Sequence, residues 1–275
     1  MQCVYINLDG QTERRAQLEA NFEACRRPGW RLTRIPAVDA AQAAALALPG
    51  SLRDVEKAVV MSHRKAIAQQ ISHDGHTLIL EDDALFGPES CERIESAAGA
   101  FPEDSWDMLF TDVTLVEPYA MTRFFSLRRE LVQREEEMLV PLREFRFVGC
   151  SSYLVNRRYK QRWLDLLQAQ APLDQPIDIY LRDLVNSGEI RAFVTFPFVT
   201  SLSAAADRSQ SQANTGGAEI TDAVWNAFRR FCWLHRDIDA AMAPVRALPA
   251  DFADPEAQAF AQLLAAALSD KFVYK

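Results

Sequence analysis

Short apolar runs alternate with longer stretches whose apolar residues recur every three or four positions, and this alternation continues from residue 3 to residue 196. Residues 3–8 form an apolar run closed by Asp9-Gly10, the pattern of a buried strand. Residues 12–24 place Leu18 and Phe22 at helical spacing, and 31–35 predict a second strand ahead of Pro36. Ser51-Leu52-Arg53-Asp54 resembles a capping box and opens a helix expected to run to about Ser72. His73-Asp74-Gly75 has turn chemistry, and 77–80 form a short strand carrying Glu81-Asp82-Asp83 at its carboxyl end. Helices follow at 88–98, 158–168 and 179–186, with strands at 107–110, 147–155 and 190–196. Strands alternating with helices predict an α/β fold, a mixed, mostly parallel sheet flanked by helices.

Two stretches interrupt the pattern. Residues 123–146 are dense in Arg and Glu and read as an exposed helix or excursion outside the core. Residues 201–217 are rich in Ser, Ala and Gln and read as a mobile loop, followed by helices at 221–242 and 254–268. The division that follows is a catalytic domain over 1–200 and a helical C-terminal appendage over 201–275. No internal repeat is present.

Composition narrows the class. A chain of 275 residues, 49% hydrophobic and 25% charged, can bury a core without disulfides or structural metal. A net charge of −8 argues against a nucleic-acid binder and against unaided adhesion to anionic lipid. It leaves open a phosphate-bearing ligand bridged by a divalent cation. The five cysteines are scattered without a C-x-x-C pair, which suits reduced thiols in a cytoplasmic protein. The N-terminus lacks the pattern of a signal peptide, and no run approaches the ~20 apolar residues of a membrane span.

The acidic triplet is the sharpest chemical feature. Consecutive carboxylates oppose one another's ionisation, and the carboxyl end of an apolar strand is where open α/β sheets place ligands. A hard cation would relieve the repulsion and bridge to phosphate oxygens; the competing reading is a polar loop after a buried strand. Asn7-Leu8-Asp9, with Arg14-Arg15 beyond it, could hold a nucleotide in a first strand-to-helix turn. Small residues at 149–152 would let a sugar approach the backbone. Asp178 stands at a helix mouth, where it is either a first-turn carboxylate or a general base. His63 lies inside a helix and His235 beside Arg236-Asp237 on a late one.

Taken in order, these segments resemble glycosyltransferase family 25, which includes bacterial lipooligosaccharide galactosyltransferases and collagen galactosyltransferases. The matching blocks are Val4 to Asp9 with Arg14-Arg15, Ala37-Val38-Asp39, Val55 to Ala58 leading to Met61-Ser62-His63, Ile79 to Ala84, Gly149 to Tyr153, and Pro176-Ile177-Asp178. The resemblance implies a GT-A-like fold and an inverting, metal-dependent transfer of a sugar, galactose above others, from a UDP-sugar to a hydroxyl of a surface glycan or glycolipid such as lipooligosaccharide. It implies Mn²⁺ or Mg²⁺ on Asp83 and Asp82. It implies a nucleotide-sugar pocket of Asn7, Leu8, Arg14, Asp39, His63, Glu81 and Asp82, with Asp178 as base and Asp112 in reserve. It also implies a cytoplasmic location at the inner face of the cytoplasmic membrane, with weak peripheral contact. Two other functions compete: an inactive relative that binds nucleotide-sugars or assists assembly, and a glycoside hydrolase working with a carboxylate pair.

Overall fold

The computed structural model describes residues 1–208 and 218–238. In chain order the elements are β1 (Gln2–Asn7), α1 (Thr12–Cys25), β2 (Arg31–Pro36), α2 (Ala40–Ala45), α3 (Asp54–Ala68), β3 (Thr77–Glu81), β4 (Ala84–Phe86), α4 (Ser90–Gly99), β5 (Met108–Phe110) and β6 (Thr114–Leu115). They continue with α5 (Pro118–Arg134), β7 (Met138–Pro141), β8 (Phe147–Val148), β9 (Ser152–Val155), α6 (Lys160–Ala169), α7 (Ile177–Ser187), β10 (Ala192–Phe196), β11 (Thr200–Leu202) and α8 (Ala218–Phe231). A short 3₁₀ turn at Ala204–Arg208 follows β11. None of the described helices is long and apolar enough to cross a membrane.

Seven strands form the central sheet in the order β2-β1-β3-β9-β5-β10-β7. β2, β1, β3, β5 and β10 point one way; β9 and β7 run against them. The mostly parallel α/β architecture expected from the alternation is therefore present. Side chains on successive strand residues face opposite sides, and this alternation divides the strands between two cores. Val4, Ile6, Ile79, Phe110, Tyr153 and Val155 face one, under α3, α5, α6, α7 and α8. Cys3, Tyr5, Leu78, Leu80, Leu109 and Leu154 face the other, under α1 and α4. Strands buried on both faces explain why their sequences are continuous apolar runs.

Several expectations are corrected. Residues 147–155 are two strands, because Gly149 takes φ +97° and breaks the run before β9. The helix expected from Ser51 starts at Asp54; Glu56 accepts from the Arg53 N–H at 3.0 Å, while Ser51 binds Asp174. The charged stretch 123–146 is not outside the core: α5 buries Phe124, Phe125, Arg128 and Leu131, and Val140 of β7 is buried too. Its charges had masked an apolar face at helical spacing. The helix expected over 221–242 ends at Phe231. Buried Arg128 then donates to the carbonyls of Trp233, Leu234 and Arg236, holding the chain that follows. Of the loop expected over 201–217, residues 201–202 are instead buried in strand β11 and 204–208 form a 3₁₀ turn. Residues 209–217 and the helix expected over 254–268 lie outside the described residues.

Candidate active site

The parallel strands deliver their carboxyl ends to one edge of the sheet, and the polar residues that follow them converge there. Asn7, the last residue of β1, donates to Asp82 Oδ2 at 2.7 Å and to the Gln11 carbonyl at 3.0 Å. Arg34 of β2 locks that amide, donating to Asn7 Oδ1 and to its carbonyl, both at 3.0 Å. Arg14, one turn into α1, spans the acidic turn: its Nε lies 3.1 Å from Asp82 Oδ1 and its Nη2 3.1 Å from Asp83 Oδ2. Asn7, Arg14, Asp82 and Asp83 thus meet at one edge of the sheet.

Glu81 ends β3 on the opposite face of the strand from Leu80, which turns it toward α3. There His63, buried in the stripe Ala58, Ser62, His63, Ala66, holds it. One ring nitrogen of His63 lies 3.4 Å from Glu81 Oε1 and the other 2.9 Å from the Tyr153 hydroxyl. His63 does not line an open pocket; it is buried and orients Glu81, of whose side chain 36% is exposed. Ser62 beside it accepts from the Val38 N–H at 2.9 Å, fixing the segment that leads to Asp39. Asp39 itself is exposed and caps α2, accepting from the Gln42 N–H at 2.8 Å. It stands three residues beyond the end of β2, at the start of α2. Leu8 is half-buried at the end of β1, with its carbonyl accepting from the Gln11 N–H.

The electrostatics follow from this crowding. Burial raises the Asp83 carboxyl, the charge of Glu81 raises it further, and Arg14 only partly opposes them, leaving it pushed up to about 7. Burial also raises Asp82 against the pull of Arg14. Glu81 is pushed up by burial as well, but the His63 hydrogen bond and charge prevail and set it below the ordinary carboxylate range. Asp178, in the first turn of α7, accepts from the Gly149 N–H at 3.2 Å and from the Ile179 N–H at 2.9 Å. Burial raises it, and these two bonds restrain the rise.

Asp112 follows β5 and is 1% exposed. Arg229 of α8 donates to its Oδ2 at 2.7 Å, and Ser151 Oγ lies 3.4 Å from its Oδ1. Both oxygens are engaged in the interior, which corrects the expectation that it stands in reserve as base. His235 packs its ring against Gly87, where an added Cβ would lie 2.0 Å from His235 Cδ2, and serves to seal that loop. Arg34, Tyr153 and Arg229 were not among the expected site residues. Arg229 had a signal: Trp225, Phe228, Arg229 and Cys232 follow i, i+3, i+4, i+7, so the apolar stripe itself carries a guanidinium inward.

The acidic turn fits a divalent cation in one specific respect. Asp83 Oδ1 is buried and lacks a hydrogen-bond partner, a costly state for a carboxylate oxygen unless a cation completes it. Among the described residues no three His, Cys, Asp or Glu side chains gather into a metal-holding group. Among the described residues, an ion here would draw on the Asp82 and Asp83 carboxylates, with water and a bound diphosphate as further ligands.

The sequence model of glycosyltransferase family 25, described as an LPS biosynthesis protein family, matches residues 1–181. The chain belongs to glycosyltransferase family 25. It is accordingly a glycosyltransferase, and the matched stretch contains every expected site residue. A comparison with curated proteins gave no match. Among solved structures, mouse xyloside xylosyltransferase 1 in its apo form is 11% identical over 70% of this chain and 63% of its own, with a TM-score of 0.31. The chain thus spans less than two thirds of that protein. Galactosyltransferase LgtC, solved with donor and acceptor sugar analogues, is 12% identical over 82% of this chain and 96% of its own, with a TM-score of 0.34. Likenesses this distant add nothing to the family assignment.

Proposed function

We propose that this glycosyltransferase is inverting and metal-dependent, moving galactose from UDP-galactose to a hydroxyl of a bacterial surface glycan such as lipooligosaccharide, at the inner face of the cytoplasmic membrane. The observation that carries the metal and the diphosphate is the unpartnered, buried Asp83 Oδ1 beside Asp82 and Arg14 at the carboxyl end of β3. The family description supports a lipopolysaccharide-type acceptor. The choice of galactose rests on the resemblance of the motif blocks.

Asp83 and Asp82 would hold Mn²⁺ or Mg²⁺, which when bound neutralises charge growing on the leaving UDP. Arg14 supplies a guanidinium suited to a diphosphate oxygen, and Asn7, held by Arg34, lines the nucleotide side. Glu81, fixed by His63, is set to accept from a hydroxyl of the donor sugar. Asp178 takes the proton of the acceptor hydroxyl. That oxygen bonds to the anomeric carbon from the face opposite UDP, whose oxygen leaves with the bonding electrons. Asp178 suits the role because, among the described residues, neutral N–H groups hold it and no cation pairs with it.

A panel of UDP-sugars with Mn²⁺, read by UDP release, tests this. UDP-galactose should give the fastest release, chelation by EDTA should reduce it to background, and Asp83→Asn should do the same. Full turnover in EDTA would remove the metal, and a faster alternative donor would remove galactose. No UDP affinity, with hydrolysis of a glycan instead, would favour the carboxylate-pair hydrolase.

A further inference from the structure

Helix α8 lies outside the stretch matched by the family model, yet it sends a guanidinium to the loop that joins β8 to β9. The Arg229 side chain is 4% exposed. Its Nε donates to Asp112 at 2.7 Å, its Nη1 to Thr114 Oγ1 at 3.5 Å, and its Nη2 to Ser151 Oγ. Nη1 also lies 3.0 Å from where a Cβ would stand on Gly149, so the loop accommodates the guanidinium because that residue has no side chain. The same loop, residues 149–151, supports both halves of the site. The Gly149 N–H holds Asp178 at 3.2 Å, and the Ser151 carbonyl accepts the Glu81 N–H at 2.8 Å.

We propose that Arg229 is a positioning residue of the transfer reaction, clamping loop 149–151 against Asp112 so that Asp178 and Glu81 stand at a fixed separation. A desolvated ion pair is a poor device for stability alone, because the cost of removing two charges from water offsets much of their attraction. Here the fork also binds Ser151 and abuts Gly149, the residues through which the loop supports Glu81 and Asp178. The inference rests on the transferase function proposed above.

The test compares the wild type with Arg229→Lys and with Arg229→Met combined with Asp112→Asn, which removes both buried charges so that neither is stranded. UDP-binding sites are counted by calorimetry with UDP and Mn²⁺. Turnover per UDP-binding site and donor KM then follow from UDP release with the UDP-sugar that the wild type uses. UDP affinity and donor KM should stay within about threefold of wild type, as the nucleotide side rests on β1, α1 and β3. Turnover per site should fall about 100-fold in the double variant, the cost of a small misplacement of reacting groups, and recover in part in Arg229→Lys. Wild-type turnover per site in the double variant would overturn the inference. So would a loss confined to the number of UDP-binding sites, which a merely structural role predicts. A wild type that binds no UDP and turns over none of the donors would instead overturn the transferase proposal itself.

Discussion

Asp112 and Asp178 are both aspartates brought to the same end of the sheet, and both could be read from the sequence as a base. The structure gives them opposite surroundings. Asp112 is sealed, with a guanidinium on one oxygen and a serine hydroxyl near the other. Asp178 is half-buried and held by two backbone N–H groups, without a paired cation among the described residues. Burial strengthens Asp178 as a proton acceptor, and the two N–H bonds only restrain that gain. Topology brings a carboxylate to the cleft, and its partners decide whether it reacts or braces.

The largest expected effect falls on Asp178. Asp178→Asn should lower kcat by about 10²- to 10⁴-fold while UDP affinity, measured by calorimetry, stays at the wild-type value. Its thermal midpoint should move little, since the amide oxygen still accepts one of the two N–H bonds. Wild-type turnover would erase the distinction between the two aspartates. Asp112→Ala should do the reverse to stability: it strands the Arg229 charge in the interior, at a cost of about 3–5 kcal/mol. For a chain of this size the midpoint should drop by roughly 10 °C, which calorimetric melting would detect. A drop of only a degree or two would mean that the pair is wetter than its burial indicates.

The sequence made the acidic turn legible because three carboxylates after an apolar strand are unusual in themselves, and it made β1, β3 and α1 legible by period. It failed where a residue's meaning depends on something distant in the chain. Gly149 read as one small residue within a strand, because nothing local shows that Arg229 must pass beside it. Asp112 read as a reserve base at a strand end, because its partner is 117 residues away. Charge density made α5 read as surface, although Phe124, Phe125 and Leu131 lie on one face. His63 read as lying near the nucleotide, because nothing local shows that its ring meets Tyr153 and Glu81.

The smallest expected effect is a pH dependence carried by Asp178. Burial raises Asp178 above the ordinary carboxylate value. A carboxyl raised on folding binds its proton more tightly in the folded state, so its contribution to stability is full below the unfolded value and is lost as pH rises through the folded one. Activity runs the other way, because the base works only when ionised: kcat should fall as pH is lowered through that same raised midpoint. With Mn²⁺ kept saturating, so that Asp82 and Asp83 stay ionised, Asp178→Asn should remove the acid limb from the residual turnover. It should also lessen the decline of the melting midpoint, part of which the raised Asp82 and Asp83 carry. Should the acid limb persist unchanged in the residual turnover of Asp178→Asn, another group would be taking the acceptor proton, and the contrast between a bracing and a reacting aspartate would have to be redrawn around that group.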